Sequence, residues 1–522
     1  MRKLRGTVFL AGYLFFQMVI SPSELVGKAS EWSRKKGKWN LHRCIELFWS
    51  AFGASSKQKI WNYSDFLSSY ESLPFLQKLR NTGRFLQVKR EMTLFTIDPT
   101  ARSIDNTQTF QSEHCVLIIA TNSLPYTQSG YTLRTHETAK ALVASGMEVQ
   151  VVTRYGYPLV IGERPVQDSE VVDGIRYWRV LPRAFHPGVM QQIDFAVDRA
   201  STIAQSFHAN IVLTTTDFHN AIVAQRVAAR LGVPWIYEMR GEQEKTWLSK
   251  LPAADRQFAR NSDKYLWTVR QEAKFAQDAD AVVTLASTLS DVAISRGVSE
   301  PKIFEIPNAI GDTIFDIKLN KQGARRQCGL PDENIIGYVG SIVRYEGLEL
   351  LLYMVALDRS VRVLIVGDGE DLPRLMRLAQ ALGVEGRVHF VGWKRPEEVA
   401  IWYKCLDMFV VPREDWDVCR SVPPLKVLTA MALGVPILSA DLPALRYITG
   451  NLGTYVKGRS ADKYLDKMQK LLEAPPDPEP LIQWAKSHTW SRNAVKYEVI
   501  FNRLKRRNSS KIKVLKPENR AK

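Results

Sequence analysis

Residues 114–153 read HCVLIIATNSLPYTQSGYTLRTHETAKALVASGMEVQVVT, and their pattern indicates the fold class. The apolar run 116–120 has the length of a buried strand, and a polar loop follows it up to Gly130. Apolar residues at helical spacing come next, before a second apolar run at 149–153. A strand, a helix and a strand in this order predict a doubly wound α/β domain, whose ligands bind beyond the carboxyl ends of the strands.

A second copy of this pattern begins near residue 335. The run IIGYVG at 335–340 precedes a predicted helix at 348–357 and a further apolar run at 361–366. The segment 308–330 lacks the pattern and contains three glycines, so it predicts a connection between two domains. Two doubly wound domains in tandem predict a ligand-binding cleft between them.

The chain therefore divides into five predicted parts. Helical patterns such as those at 44–52 and 63–79 predict a helical accessory region before the first domain. The parts are a basic and apolar segment at 1–22, this accessory region at 23–111, a first Rossmann-like domain at 112–310, a second at 311–500, and a basic tail at 501–522.

The net charge of +17 is concentrated at the two ends of the chain. Residues 1–110 carry 17 Lys and Arg against 8 Asp and Glu, and residues 501–522 carry 9 against 1, which leaves the middle of the chain neutral. Basic ends suit an anionic membrane surface, whereas nucleic acid would require basic residues around a groove. For residues 505–522 the alternative is a solvated and partly disordered tail. We therefore expect no nucleic-acid partner.

The apolar stretch 7–20 is short for a membrane span, so we interpret it as a helix that lies on the membrane, with a helix buried in protein as the alternative. Five cysteines at wide spacings match neither a disulfide framework nor a zinc site. The expected location is cytoplasmic, with peripheral attachment at the inner face of the plasma membrane.

Candidate binding residues of the first domain follow its strands. Ser129 and Gly130 open the first predicted helix, where free backbone amides can bind an anion. Arg134 and His136 follow within that helix, and a lone histidine there has a packing role as its alternative. Glu238 and Arg240 end a predicted buried strand, which favours a role in the cleft over a structural ion pair.

The second domain repeats this arrangement with more positive charge. Gly340 and Ser341 lead from a strand to a helix, and Arg344 follows in the same loop. Arg413 and Lys426 flank a second loop that opens another helix. Cations and helix-start amides are the groups that stabilise a departing diphosphate.

Taken in order, these motifs resemble family 4 of the retaining glycosyltransferases over about three quarters of the chain. The motifs are the loop at 129–130 with His136, then 237–241, 306–309, 338–341, 346–347, 366–369, 423–426 and 430–434. The resemblance implies the GT-B fold, in which two Rossmann-like domains face each other, here with an N-terminal helical extension. It also implies a nucleotide-diphosphate-sugar donor at the second domain, an acceptor at the first, and no metal or other cofactor.

The resemblance also suggests roles for the candidate residues. Catalysis would fall to His136, Arg344 and Lys426, and donor binding to Gly130, Gly340, Ser341, Arg420 and Thr429. The acceptor side of the cleft would include Ser129, Arg134, Glu238 and Arg240. The acceptor is expected to be a glycan or a lipid-linked intermediate.

Three positions depart from the family pattern. Arg420 and Thr429 stand where the family usually has two glutamates, and Glu346 replaces a basic residue. Arg420 could contact a phosphate or an acidic sugar, and Thr429 could hold the ribose. We expect an active transferase; the alternatives are a GT-B protein that has lost catalysis and serves as a partner or scaffold in polysaccharide synthesis, and another nucleotide-sugar enzyme such as an epimerase.

Overall fold

The structure is a computed structural model, and it describes residues 9–14, 16–17, 61–100 and 114–515 of the 522-residue chain. Two parallel sheets form the centres of two α/β domains, which confirms the predicted fold class. The strands are β1 (Cys115–Ala120), β2 (Glu148–Tyr155), β3 (Ser169–Val172), β4 (Ile175–Val180), β5 (Ile211–Thr215), β6 (Trp235–Met239), β7 (Ala281–Thr284), β8 (Ile303–Glu305), β9 (Asn334–Val339), β10 (Val361–Val366), β11 (Val388–Gly392), β12 (Met408–Val411), β13 (Ile437–Ala440) and β14 (Thr454–Val456).

The order of the strands is that of doubly wound sheets. The first sheet has the order β3-β4-β2-β1-β5-β6-β7-β8 and the second β11-β10-β9-β12-β13-β14. Every pairing is parallel except β3 with β4, which forms an antiparallel edge. In both sheets the first strand of the domain is central, so the loops that follow β1 and β9 lie at the topological switch points.

Helices cover both faces of each sheet. The helices that precede or belong to the first domain are α1 (Tyr63–Ser72), α2 (Phe75–Phe95), α3 (Gly130–Ala144), α4 (Val189–Ser206), α5 (Phe218–Leu231), α6 (Gln243–Ser249), α7 (Ala253–Arg260), α8 (Asp263–Asp278) and α9 (Ser287–Ser295). Those that follow are α10 (Lys321–Cys328), α11 (Glu349–Leu357), α12 (Leu372–Ala381), α13 (Pro396–Lys404), α14 (Asp417–Ser421), α15 (Leu425–Ala432), α16 (Pro443–Thr449), α17 (Ala461–Glu473), α18 (Glu479–Lys486) and α19 (Trp490–Leu515).

Local sequence accounts for the first strand and helix. All six residues of β1 are buried, as expected of a central parallel strand that is covered on both faces. Ser129 caps α3: its hydroxyl accepts a hydrogen bond from the Thr132 amide, and the Thr132 hydroxyl accepts one from the Ser129 amide. These two bonds satisfy amides at the helix start and fix where α3 begins.

The predicted connection between the domains contains a helix that the sequence did not indicate. Helix α10 is capped at its start by Asn320, whose side chain accepts a hydrogen bond of 2.8 Å from the Gly323 amide. It ends at Gly329, which has a left-handed φ of 67°. The two cap residues define this short helix, whereas its few apolar positions give no recognisable period.

The last helix crosses back to the first domain. Helix α19 packs on α3, and its residues Ala494, Tyr497 and Phe501 belong to the same buried cluster as β1. The predicted second domain ends at residue 500, so this boundary cuts a helix that contributes to the core of the first domain. The crossing ties the two domains together.

Two helices of the accessory region pack on the first domain. The sequence predicted one helix at 63–79, but α1 ends at Ser72 and α2 begins at Phe75, with Pro74 at its N-cap. Proline interrupts a helix because it lacks an amide hydrogen. Gln271 of α8 joins α2 to the first domain through hydrogen bonds to the backbone of Leu94 and Ile97. The helix predicted at 44–52 lies outside the described residues.

The residues described at 9–17 form a helical segment on the first domain. Phe9 is fully buried, with ring centroids 5.9 Å from Tyr155 and 5.8 Å from Phe185. These contacts match the alternative of a helix buried in protein, and membrane attachment stays a prediction. Within the described ranges, no helix is both long and apolar enough to cross a bilayer.

Candidate active site

Two glycine loops meet at the carboxyl edge of the second sheet. Gly340 follows β9, and its amide donates a hydrogen bond of 2.9 Å to Val366 at the end of β10. A Cβ atom added to Gly367, whose φ is 140°, would lie 1.9 Å from the Gly340 carbonyl oxygen. Only glycine allows this close approach, so the two loops form one backbone surface beside the strand ends.

Lys426 lies against this surface. It stands in the first turn of α15, and its side chain is 15% exposed. Its ammonium group donates hydrogen bonds to the Tyr338 hydroxyl and, over 2.7 Å, to Oε1 of Glu346. Gly340 has a φ of 149°, which residues with a side chain rarely adopt, and a Cβ atom there would be 3.3 Å from Lys426 Nζ.

Glu346 is the anion that holds two cations in place. Its carboxylate is 2% exposed and pairs with Arg413 through two hydrogen bonds of 2.9 and 3.2 Å, in addition to the Lys426 bond. Burial alone would raise the pKa of Glu346, but the charges of Arg413 and Lys426 outweigh it and lower the pKa to about 2. Two cations and one carboxylate leave a single positive charge while Lys426 is protonated.

Burial has the opposite consequence for Lys426. It lowers the pKa of the ammonium group to about 8, although the Glu346 charge acts to raise it. The Lys426 charge therefore changes close to neutral pH, which is uncommon for a lysine. We call Tyr338, Gly340, Glu346, Arg413 and Lys426 the Lys426 cluster.

The remaining candidates of the second domain lie nearer to solvent. The Arg344 side chain is 50% exposed and 3.9 Å from Asp371, so it is free to reorient toward a ligand. Arg420 is 52% exposed and forms an ion pair of 2.5 Å with Asp415. In the described part of the chain, no hydrogen bond or ion pair connects Arg420 to the Lys426 cluster. Thr429 is half-buried on α15, one helical turn after Lys426.

The start of α3 faces this cluster across the domain boundary. A Cβ atom on Gly130 would lie 3.9 Å from Cδ1 of Leu425, the residue before Lys426. The Ser129 side chain is engaged in capping α3, a helix of 15 residues that begins at Gly130. The backbone of these two residues therefore remains as the part of the helix start that borders the cleft. The structure thus brings Gly130 of the first domain against the residue that precedes Lys426 in the second.

Direct contacts between side chains of the first domain and the loop before Lys426 hold the two domains together. The Asn308 side-chain amide donates a hydrogen bond of 2.7 Å to the Pro423 carbonyl, and the Thr288 hydroxyl donates one of 3.2 Å to that of Ser421. The Arg256 guanidinium stacks over the Trp416 ring at 3.9 Å. These contacts fix the loop that precedes Lys426.

Arg134, Glu238 and Arg240 come together, but in the protein interior. Glu238 is fully buried and accepts hydrogen bonds of 2.7 Å from Arg134, 2.6 Å from Arg240 and 3.1 Å from the Tyr497 hydroxyl. Burial would raise the pKa of Glu238, but the two arginine charges lower it to about 2. The sequence favoured a cleft role for these residues, and the geometry is that of the alternative, a structural ion pair.

This buried network reaches the second domain through Asn308. Arg134 donates hydrogen bonds to the carbonyls of Ile306 and Pro307 and, over 2.9 Å, to the side-chain oxygen of Asn308. Asn308 in turn holds Pro423. The network therefore positions the loop before Lys426 and has no open face toward a ligand.

His136 is also occupied by protein partners. Its side chain is 3% exposed, with Nδ1 2.7 Å from the Tyr177 hydroxyl and Nε2 2.9 Å from the Asp173 carboxylate. Both ring nitrogens therefore have partners on one hairpin, Tyr177 on β4 and Asp173 in the turn between β3 and β4. The structure does not bring His136 to the Lys426 cluster, and the packing role that the sequence left as an alternative describes its position.

The sequence did not predict that two residues, Tyr338 and Glu346, belong to this site. Tyr338 lies in an apolar strand, and the signal that could have revealed it is that a buried tyrosine hydroxyl needs a hydrogen-bond partner. Glu346 belongs to one of the family motifs and departs from the family pattern, but neither fact predicts an ion pair. A buried carboxylate between two cations depends on residues 67 and 80 positions away, so no local pattern could show it.

The fold is the GT-B architecture, two Rossmann-like domains with a cleft between them. The chain matches the Glycosyl transferase 4-like domain over residues 129–309 and the Glycosyl transferases group 1 family over residues 320–488. These two regions include most of both α/β domains. The chain belongs to family 4 of the glycosyltransferases, as a divergent member.

Relatives of known name are only distantly similar in sequence. The D-inositol 3-phosphate glycosyltransferase of Corynebacterium diphtheriae is 27% identical over 199 residues, which cover 35% of this chain and 45% of that protein. The protein of the same name from Stackebrandtia nassauensis is 27% identical over 244 residues, covering 43% and 54%. The chain spans about half the length of the curated relatives it matches.

Solved structures resemble this chain over most of its length. Sucrose-phosphate synthase from Thermosynechococcus elongatus superposes with a TM-score of 0.62 at 20% identity, covering 75% of this chain and 99% of that one. Anabaena HepE, solved in complex with UDP and glucose, gives 0.56 at 13% identity, covering 75% and 100%. Identities this low show a common fold.

Proposed function

We propose that this protein transfers a sugar from a nucleotide-diphosphate-sugar to an acceptor, with retention of configuration at the anomeric carbon and without a metal or other cofactor. The observation that carries the proposal is the position of Lys426 beside the Gly340 loop, with Gly130 of the first domain against the preceding residue, Leu425. Family membership supports the reaction class, and the UDP bound to Anabaena HepE supports a nucleotide-sugar donor.

The cluster has the charge that such a reaction requires. Negative charge develops on the departing diphosphate, and a fixed cation close to it lowers the barrier. Lys426 supplies that cation, and the exposed Arg344 can turn toward the outer phosphate. Glu346 and Arg413 would keep Lys426 in place before the donor arrives, so little reorganisation is needed at the moment of reaction.

A calorimetric titration of the full chain against UDP, GDP and their common sugar conjugates tests this proposal. Saturable binding of one nucleotide class is expected, together with a loss of binding in Lys426→Ala. In a transfer assay the same variant should turn over about 10²- to 10³-fold more slowly, the usual cost of removing one stabiliser of a developing anion. Arg164→Gln, at an exposed position of the first domain, is the matched control.

A second candidate function is that of a GT-B protein without catalysis, acting as a partner or scaffold in polysaccharide synthesis. The observation in its favour is that Glu346 already neutralises one of the two cations of the Lys426 cluster. Arg420 and Thr429 also replace the glutamates usual in the family. Failure of every nucleotide and nucleotide sugar to bind the folded chain would favour this second function.

The acceptor and the location belong to the same proposal. We infer a glycan or a lipid-linked intermediate as acceptor and attachment to the inner face of the plasma membrane, on the ground that the positive charge lies at the two ends of the chain. Co-sedimentation with vesicles of phosphatidylglycerol, compared with vesicles of phosphatidylcholine, tests the attachment. Equal sedimentation with both would contradict it.

A further inference from the structure

A second cavity, of about 400 Å³, opens at the carboxyl edge of the first sheet. Its walls are the ends of β1 and β2, the helices α2, α4 and α5, and the helical segment at 9–17. No described residue of the second domain lines it. The volume suits a small organic ligand or part of a larger one.

One wall of this cavity is apolar and aromatic. It is formed by Phe16, Val160, Phe185, Ile193 and Val223. The rings of Phe16 and Phe185 are 5.0 Å apart, and together they join the segment at 9–17 to the domain. Such a wall gains free energy when it covers hydrocarbon, at roughly 25 cal/mol for each Å² removed from water.

Two uncharged polar side chains of the cavity, Gln192 and Asn220, already have protein partners. The Gln192 side chain donates to the His186 carbonyl over 2.5 Å and accepts from Arg90 over 2.6 Å. The Asn220 amide donates to the Thr121 hydroxyl over 2.7 Å. A carbohydrate needs several unsatisfied donors and acceptors to replace its hydration, and this wall offers few of them.

Arg154 supplies an available charge. Its side chain is exposed to the cavity, and in the described part of the chain that side chain has neither a hydrogen bond nor an ion pair. Arg90 adds a second cation, placed over the Phe16 ring at 5.7 Å. The other charged groups that line the cavity are Asp217 and His219, which pair with each other at 3.1 Å. Burial lowers the pKa of Arg154, and the nearby charge of Asp217 acts to raise it. The surplus charge is therefore positive.

We propose that this cavity binds a phosphorylated lipid, with the phosphate at Arg154 and the hydrocarbon chain along the wall formed by Phe16 and Phe185. An amphipathic anion is the ligand that satisfies both the unpaired guanidinium and the apolar wall. The family match of the first domain begins at residue 129, whereas Phe16, Leu94 and Arg90 precede it. The roof of the cavity is thus built by residues outside the matched domain.

This assignment rests on the proposed transferase function in one respect: if the protein is a transferase, the phosphorylated lipid is its lipid-linked acceptor. The binding itself does not depend on transfer. It can therefore be measured without a nucleotide sugar, and a failure of one site is distinguishable from a failure of the other.

The test is a calorimetric titration of the full chain with farnesyl phosphate, compared with farnesol and with inorganic phosphate. Farnesyl phosphate should bind saturably, and each of the other two should bind at least about tenfold more weakly, because each lacks one of the two contacts. Inorganic phosphate that binds as tightly would reveal a site for the free anion and overturn the lipid assignment. Farnesol that binds as tightly would overturn the role of Arg154.

Two variants test the two ends of the cavity. Arg154→Gln should weaken farnesyl phosphate binding by about 10- to 100-fold, the range for a lost charge-assisted hydrogen bond. Val223→Phe should weaken it by filling the cavity, while Arg164→Gln, a matched exposed arginine of the same domain, should not change it. Unchanged binding in both cavity variants would refute the site.

Nucleotide binding is measured on the same samples. UDP or GDP affinity should be the same in Arg154→Gln, in Val223→Phe and in the unmodified chain, which also shows that the variants are folded. If no nucleotide binds but farnesyl phosphate does, the lipid site stands and the transferase proposal fails. If nucleotide binds and farnesyl phosphate does not, the lipid site is wrong and the transferase proposal stands.

Discussion

Lys426 offers a direct test of the donor site, because its charge changes within a convenient pH range. Burial lowers the pKa of this lysine to about 8, against the raising effect of Glu346. The other titrating groups of the cluster remain fixed between pH 7 and 9: the pKa of Glu346 is about 2, and burial raises the pKa of Tyr338 well above its usual value. Within the cluster, Lys426 is therefore the group whose charge changes in this range.

The size and sign of the effect follow from this pKa. A lysine with a pKa of about 8 is about nine-tenths charged at pH 7 and about one-tenth charged at pH 9. If only the ammonium form binds the diphosphate, affinity for UDP or GDP falls by roughly tenfold over these two units, or about 1.4 kcal/mol. The phosphates themselves stay ionised, since their last pKa is near 6.

Calorimetric titration of the nucleotide at pH 7, 8 and 9 is the assay. Lys426→Arg is the control, because a guanidinium keeps its charge throughout the range. Its affinity should be independent of pH, and Lys426→Ala should bind weakly at every pH. An affinity of the unmodified chain that does not change between pH 7 and 9, or an equal loss in Lys426→Arg, would refute the reasoning.

Three further predictions concern residues whose roles the structure defines. Glu238→Gln should lower the free energy of unfolding in urea by about 3 to 5 kcal/mol, because it leaves two buried arginines without their carboxylate. Glu163→Gln, at a half-buried position, should have little effect. Equal stabilities of the two variants would contradict a structural network. Gly367→Ala should abolish nucleotide binding in calorimetry, since its Cβ would meet a backbone oxygen at 1.9 Å, and Gly386→Ala, which meets no atom within 4 Å, should bind normally. His136→Gln should lower the free energy of unfolding by about 1 to 2 kcal/mol, because both ring nitrogens have protein partners. The rate of sugar transfer should remain nearly unchanged. A transfer rate lowered by two orders of magnitude or more would restore the catalytic role inferred from the sequence.

The sequence predicted the fold well because parallel strands carry a strong local signal. Strand β1 reads as an unbroken apolar run, and all six of its residues are buried. The local signals for where helices begin and end are weaker. Pro74 divides one predicted helix into two, and α10 depends on the caps at Asn320 and Gly329 in a segment that reads as a connection.

The candidate site could be predicted only in part. The loop at Gly340 and the helix start at Lys426 follow from the order of strands and helices, because carboxyl ends of neighbouring parallel strands meet at one edge. Whether a charged side chain faces a ligand or another side chain depends on residues far along the chain. Arg134 and Glu238 are 104 positions apart, and their ion pair closes inside the protein.

Two doubly wound domains, a cleft between them and positive charge after the strands of the second domain all follow from the amino-acid sequence. These properties depend on periodicity and on residue type, which are local. The three-dimensional arrangement was needed to show that Glu346 holds Arg413 and Lys426, that His136 is engaged with Tyr177 and Asp173, and that the segment at 9–17 covers a cavity. Each of these depends on side chains brought together from distant positions, and the free energy of a buried charge is set by those neighbours rather than by its place in the sequence.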